Sequence, residues 1–182
     1  MNAVISNNNY FPLCTQLEAD DCSEIALGMG AGIASFCGIV AIESTGIFEV
    51  CEGTQDALKL FEWIADVPNI VVRIAFKVCF LTYAVFIGPW LEEYLFREVV
   101  HNFLGGELGS TVEKVMRIVL NGIIFGLAHL SPFQGMANIP IFVVTASLGM
   151  VFAALRMWRE DRVACTTAHM TYNGLALLPL LV

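Results

Sequence analysis

The stretch Trp90-Leu91-Glu92-Glu93-Tyr94-Leu95-Phe96-Arg97 sets two acids and a base at the end of a long apolar run. Charge in such surroundings is costly unless it faces a polar cavity or a partner, so the cluster marks a site inside a membrane-type segment. On a helix Glu93 and Arg97 stand one turn apart and can pair along one face, whereas Glu92 points roughly 100° away. Glu92 is thus the acid with no local partner.

The rest of the chain suits that reading. With 182 residues, 57% hydrophobic and 14% charged, and a mean hydropathy of +0.72, it is too apolar for an ordinary soluble domain. It reads as one all-α, multi-pass membrane helix bundle, with the lipid bilayer as its first partner. A formal net charge of -8 without a basic stripe excludes nucleic acid. Acids outside the apolar runs, such as Glu18, Asp20, Asp21 and Glu24 in the N-terminal arm and Glu49, Glu52, Asp56, Glu62 and Asp66 in the first long connection, read as solvated faces. Six cysteines are scattered without C-x-x-C or Cys/His ligand spacing, and none is assigned chemistry. Residues 1–20 lack a basic n-region and an apolar h-region, so no cleavable signal peptide is expected and insertion falls to the first spanning helix.

In chain order, residues 1–23 are expected to form a mobile polar arm, 24–68 a first membrane helix and an interfacial connection, and 69–182 the membrane core. Gly28, Gly30, Gly32 and Gly38 would let another helix approach the first one closely. Over 54–66 the alternation of Leu58, Leu60, Phe61, Trp63 and Ile64 with Asp56, Lys59, Glu62 and Asp66 predicts a short helix lying in the interface. Gly88-Pro89 should kink, rather than end, a helix running from Asn69 to Leu104, and Gly105-Gly106 should stop it. Segments at 112–130, 138–157 and 163–182 bring the count to about five spans of ~20 residues each. Arg156, Arg159 and Arg162 share one short loop that the positive-inside rule makes cytoplasmic, and helix counting puts the 105–116 loop on the same side.

Two of the three histidines lie within apolar segments: His129 follows Phe125 by four residues and His169 precedes Asn173 by four, each pair on one helical face. Buried His and Asn side chains need hydrogen-bond partners that lipid cannot supply, and the cheapest are one another and Glu92. At ~1.5 Å per residue Glu92 lies ~18 Å from Leu104, His129 ~22 Å from Lys114 and His169 ~10 Å from Arg162, so tilt or unequal helix ends must bring them level.

Glu-Glu-x-x-x-Arg (Glu92, Glu93, Arg97), Phe-x-x-x-His (Phe125, His129) and His-x-x-x-Asn (His169, Asn173) occur in that order on successive apolar helices. The trio resembles the CAAX protease and bacteriocin-processing family of intramembrane endopeptidases, which includes the type II CAAX prenyl proteases and the bacterial Abi proteins. Each motif alone is weak; the ordered set is specific, and it covers roughly residues 70–182. Glu98 departs from the pattern, since many members carry a small residue after the motif arginine.

The resemblance implies that Glu92, with His129 beside it, holds and deprotonates a water that attacks a peptide carbonyl. It implies that His169 and Asn173 face the developing oxyanion as donors, while Arg97 neutralises Glu93 and orients that helix. The implied substrate is a peptide or a membrane-protein segment, and the implied setting a bacterial inner (cytoplasmic) membrane with the site open to the cytoplasm. No cofactor is needed in this version. A zinc version stays open, with Glu92, His129 and His169 as ligands, because the family is often described as metalloproteases, although no His-Glu-x-x-His helix is present.

Taken alone, the same residues admit plainer readings. Glu93 with Arg97 is a self-sufficient pair, His101 an interfacial residue, Phe125 core, and Glu92, His129, His169 and Asn173 a polar network gluing helices together. Two other functions compete. A proton- or ion-coupled transporter also uses intramembrane Glu and His, but no internal repeat is found. A catalytically idle scaffold or immunity protein of the same fold should have lost a motif residue, and none is missing.

Overall fold

The computed structural model describes residues 19–46, 56–105, 109–132 and 135–181. Among them the chain forms six helices and no strand: α1 (Ala19–Ser44), α2 (Asp56–Ala65), α3 (Ile70–Phe103), α4 (Thr111–Ala128), α5 (Asn138–Arg159) and α6 (Val163–Leu177). Most of the expected N-terminal arm lies outside the described residues; α1 reaches back into it as far as Ala19.

The helix ends follow local chemistry. The Asn69 carboxamide oxygen accepts from the N–H groups of Val71 and Val72 at 3.0 and 3.2 Å and starts α3. Ser110 and Glu113 form a capping box that starts α4. Gly105, with φ of 106°, stands just past α3 where a left-handed residue terminates a helix. Asn138 closes the α4–α5 connection, donating to the Ser131 carbonyl at 2.7 Å and accepting from its N–H at 3.0 Å.

Pro89 leaves α3 unbroken, as the sequence predicts, because the helix widens ahead of it. Residues Tyr83–Ile87 form a π-turn in which the Gly88 N–H bonds to the Tyr83 carbonyl. A second π-turn spans Leu95–Val100. The two turns flank the α-helical stretch Gly88–Tyr94 that carries both glutamates.

Among the described residues three helices, α1, α3 and α5, are by length and composition long and apolar enough to cross a membrane, in keeping with the all-α membrane bundle expected. The other two apolar segments differ in detail. α4 carries Glu113, Lys114 and Arg117 in its first two turns, and the 15 residues of α6 run on into a 3-10 turn at Leu178–Leu181. Both pack among the long helices, α4 along α5 and α6 against α1, α3 and α5. The exposed side chains of α3 are large and apolar, Val71, Val78 and Phe86 among them, as lipid contact requires.

Small residues set the two closest helix pairs. A Cβ on Gly32 would stand 2.5 Å from the Ala168 carbonyl oxygen, and one on Gly28 would meet the Ala164 carbonyl, so α1 lies backbone to backbone on α6. Gly30 and Gly38 face open space and take no part. Gly126 does the same service on α4, where a Cβ would come within 2.8 Å of the Ala146 Cβ.

One end of the bundle is laced by charge. Glu98 of α3 reaches Arg162 at 3.5 Å and Arg156 at 3.9 Å, and Arg159 pairs with Glu24 of α1. Glu24 is therefore buried, not on a solvated face as its neighbourhood suggests. His101 is likewise buried, where an interfacial position was expected: Asn102 and Phe103 beside it are exposed, and the His101 side chain alone turns inward there.

Candidate active site

Glu92 of α3, His129 at the end of α4 and His169 of α6 meet at one point. The Glu92 Oε2 stands 3.5 Å from the His129 Nε2 and 3.8 Å from the His169 Nε2. The unequal depths read from the sequence close because the helix ends are staggered. Glu98, not Leu104, is level with Arg162 at the start of α6, which places Glu92 ~9 Å above that level, near the ~10 Å of His169. Gly105 lies against Arg117, and His129 is ~18 Å up α4 from Arg117, matching Glu92 on α3.

The partners of the ring nitrogens fix where the protons lie. The Phe125 carbonyl, at the frayed end of α4, accepts from His129 Nδ1 at 2.7 Å. The Glu93 Oε1 takes His169 Nδ1 at 2.9 Å. A carbonyl and a carboxylate only accept, so both imidazoles spend their Nδ1–H there and a neutral ring turns a lone pair at Nε2 toward Glu92. With both rings neutral, three acceptors face one small space, which suits a group that brings protons to two of them, as a water does. The Glu92 and His129 side chains are 35% and 30% exposed and that of His169 6%, while the Glu92 oxygen that faces the two imidazoles is itself enclosed.

Behind this point lies a buried layer. Arg97 Nε meets Glu93 Oε2 at 3.0 Å, both fully enclosed. The Glu93–Arg97 pair expected from the spacing therefore has a second task, the contact to His169. Arg97 Nη1 also donates to the Asn121 side-chain oxygen of α4, and Asn121 Nδ2 donates to the Phe96 carbonyl at 2.8 Å. The Phe125 ring is packed by His129 at 4.5 Å, Phe96 at 4.9 Å and His169 at 5.8 Å, with the Arg97 guanidinium 5.2 Å above it. Phe152 of α5 stacks on the other side of His169 at 4.9 Å.

Asn173 sits one turn beyond His169 and donates Nδ2 to the Ala84 carbonyl at 2.9 Å. Pro89 explains that bond. In a π-turn the Ala84 carbonyl would receive the N–H of residue 89, and proline has none. Asn121 and Phe152 escaped the sequence reading. Asn121 had left a signal, lying four and eight residues before Phe125 and His129 on the same stripe of α4; Phe152 is one apolar residue among many.

One carboxylate and two imidazoles are donor types that a catalytic zinc takes. As these residues stand, however, no group of three or more His, Cys, Asp or Glu side chains among the described residues has an arrangement that could hold a metal ion.

The comparisons with known proteins converge on one group. A family model described as type II CAAX prenyl endopeptidase Rce1-like matches residues 74–175, more than half of the chain and all of the cluster above. The membrane-embedded CAAX protease MroQ of Staphylococcus aureus (strain USA300) is 27% identical over 111 residues, which cover 59% of this chain and 42% of that relative. The chain thus spans less than half the length of the curated relative it matches. No solved structure matches it. The three motifs and their meeting point all fall inside the matched region, and the chain belongs to the Rce1-like family of type II CAAX prenyl endopeptidases.

Proposed function

We propose that the chain is an intramembrane endopeptidase that hydrolyses a peptide bond with a water activated by Glu92 and His129. The observation that carries the proposal is the convergence of Glu92 Oε2 with two imidazole Nε2 atoms at 3.5 and 3.8 Å. A water lying among them donates its protons to acceptors and presents its oxygen to a carbonyl carbon. Glu92 takes one proton as the oxygen–carbon bond forms. The carbonyl becomes an oxyanion, and as it collapses and the carbon–nitrogen bond breaks, Glu92 returns the proton to the leaving amine.

His169 and Asn173 serve the oxyanion in this reading. His169 Nε2, 3.8 Å from Glu92 Oε2, shares the proton that Glu92 has taken from the water and so becomes a donor while the oxyanion exists, handing it back before Glu92 passes it to the amine, and Asn173 keeps one carboxamide N–H beyond the one spent on Ala84. The substrate is a peptide or membrane-protein segment admitted from the arginine-lined end of the bundle, which the positive-inside rule puts in the cytoplasm. Among the alternatives the transporter gains nothing from the geometry, since the cluster is backed by the buried Glu93, Arg97 and Phe125.

The test is cleavage of internally quenched peptides by the purified chain in liposomes, before and after treatment with a strong chelator. Retained cleavage is the result expected of a water held by side chains. Loss that added zinc reverses would replace this mechanism with a metal-dependent one, and proton-coupled solute uptake without any cleavage would favour the transporter.

A further inference from the structure

Asn121 is fully buried in α4, and it touches α3 twice. Its oxygen accepts from Arg97 and its nitrogen donates to the Phe96 carbonyl at 2.8 Å. Phe96 and Arg97 both lie in the second π-turn, and the same carbonyl also receives the His101 N–H in the wide ring of that turn. Carbonyls in such turns splay outward and can take a second donor. The first π-turn is held the same way, by Asn173 of α6 on the Ala84 carbonyl. Each end of the glutamate-bearing stretch Gly88–Tyr94 is thus pinned by an asparagine from a different helix.

A π-turn inserts an extra residue into the winding and so rotates everything beyond it relative to what precedes. Slippage at either turn would swing Glu92 and Glu93 off their faces. The contacts run onward from Asn121 without a gap: Arg97 holds Glu93 at 3.0 Å, Glu93 holds His169 Nδ1 at 2.9 Å, and His169 Nε2 faces Glu92. Every member of that line except Glu92 is buried, and both contacts of Asn121 fall on residues of the π-turn.

We propose that Asn121 is a positioning residue, which locks the second π-turn and the Arg97 guanidinium so that Glu93 keeps His169 in one tautomer aimed at Glu92. The proposal rests on the hydrolase reading for its catalytic consequence, but its structural consequence can be read without any substrate. The chain has three histidines, so ¹⁵N-histidine labelling in liposomes resolves the imidazole of His169.

In wild type His169 should give the signature of a single tautomer protonated at Nδ1. Asn121→Ala should mix the tautomers and lower kcat on the quenched peptides by about ten- to a hundredfold with KM unchanged, the scale of a misplaced catalytic group. Asn121→Asp keeps the size and the acceptor for Arg97, so it covers the case in which the alanine variant does not fold; lacking the donor to Phe96, it should also mix the tautomers. Ser110→Ala, which removes the exposed capping box that opens α4, controls for lost stability and should leave the His169 signal alone. A wild-type signal and wild-type kcat in the folded Asn121 variants, or an equal change in Ser110→Ala, would overturn the proposal. Should wild type itself cleave nothing, the hydrolase reading falls and the His169 signal alone decides on Asn121 by the same results.

Discussion

Glu93 answers to two partners, and its replacement should separate it from its neighbour. It is enclosed with Arg97 on one side and His169 on the other. Glu93→Gln leaves a buried guanidinium without a counter-charge, a loss of about 3–5 kcal/mol, so the unfolding temperature should drop sharply. The fraction that still folds should also cleave more slowly than its amount accounts for, because a neutral amide holds His169 less firmly; thermal unfolding and cleavage per folded molecule, measured on one preparation, check both. The sequence made the Glu93–Arg97 pair legible through its four-residue spacing, and Glu92 as the odd acid out. It hid the Glu93–His169 bond, because spacing reports on one helix and that bond joins two that are 76 residues apart. His101 and Asn121 show the same limit. The first reads as interfacial from its place near a helix end and the second as unremarkable, yet both are buried, Asn121 against Phe96 and Arg97 of a helix distant in sequence.

At the level of the helices, glycines decide which pairs can close. Gly28→Ala would drive a Cβ into the Ala164 backbone of α6, so α1 must shift away, at a cost of about 1–3 kcal/mol. Gly30→Ala, two residues along and facing open space, should be neutral or add up to about 1 kcal/mol through helix propensity. Comparing the unfolding midpoints of the two variants in one detergent tests whether α1 is seated on α6 in this register. The need for small residues in 24–48 was legible, but four candidate glycines could not be sorted without knowing which face meets α6. The apolar runs at 112–130 and 163–182 were legible as helices, but not where they sit: α4 lies along α5, and α6 against α1, α3 and α5. The continuity of α3 through Pro89 was foreseen; the π-turn that permits it, and the asparagine that satisfies the freed carbonyl, depend on α6.

For the molecule as a whole, three helices bring one partly exposed carboxylate and two imidazoles together above a buried ionic and aromatic floor, and peptide hydrolysis is the activity proposed for this assembly. Family membership covers the helices that carry the assembly, residues 74–175, while α1 is bound in through its glycines and the Glu24–Arg159 pair. Glu98, the departure from the family pattern, takes part in the same lacing through Arg162 and Arg156. The central claim is most directly tested by Glu92→Gln, since the side chain is partly exposed and its exchange removes the base while easing the crowding of acceptors. In liposomes this variant should unfold at the wild-type temperature and cleave quenched peptides slower by on the order of 10² to 10⁴-fold. Cleavage at the wild-type rate by a folded Glu92→Gln chain would contradict the account.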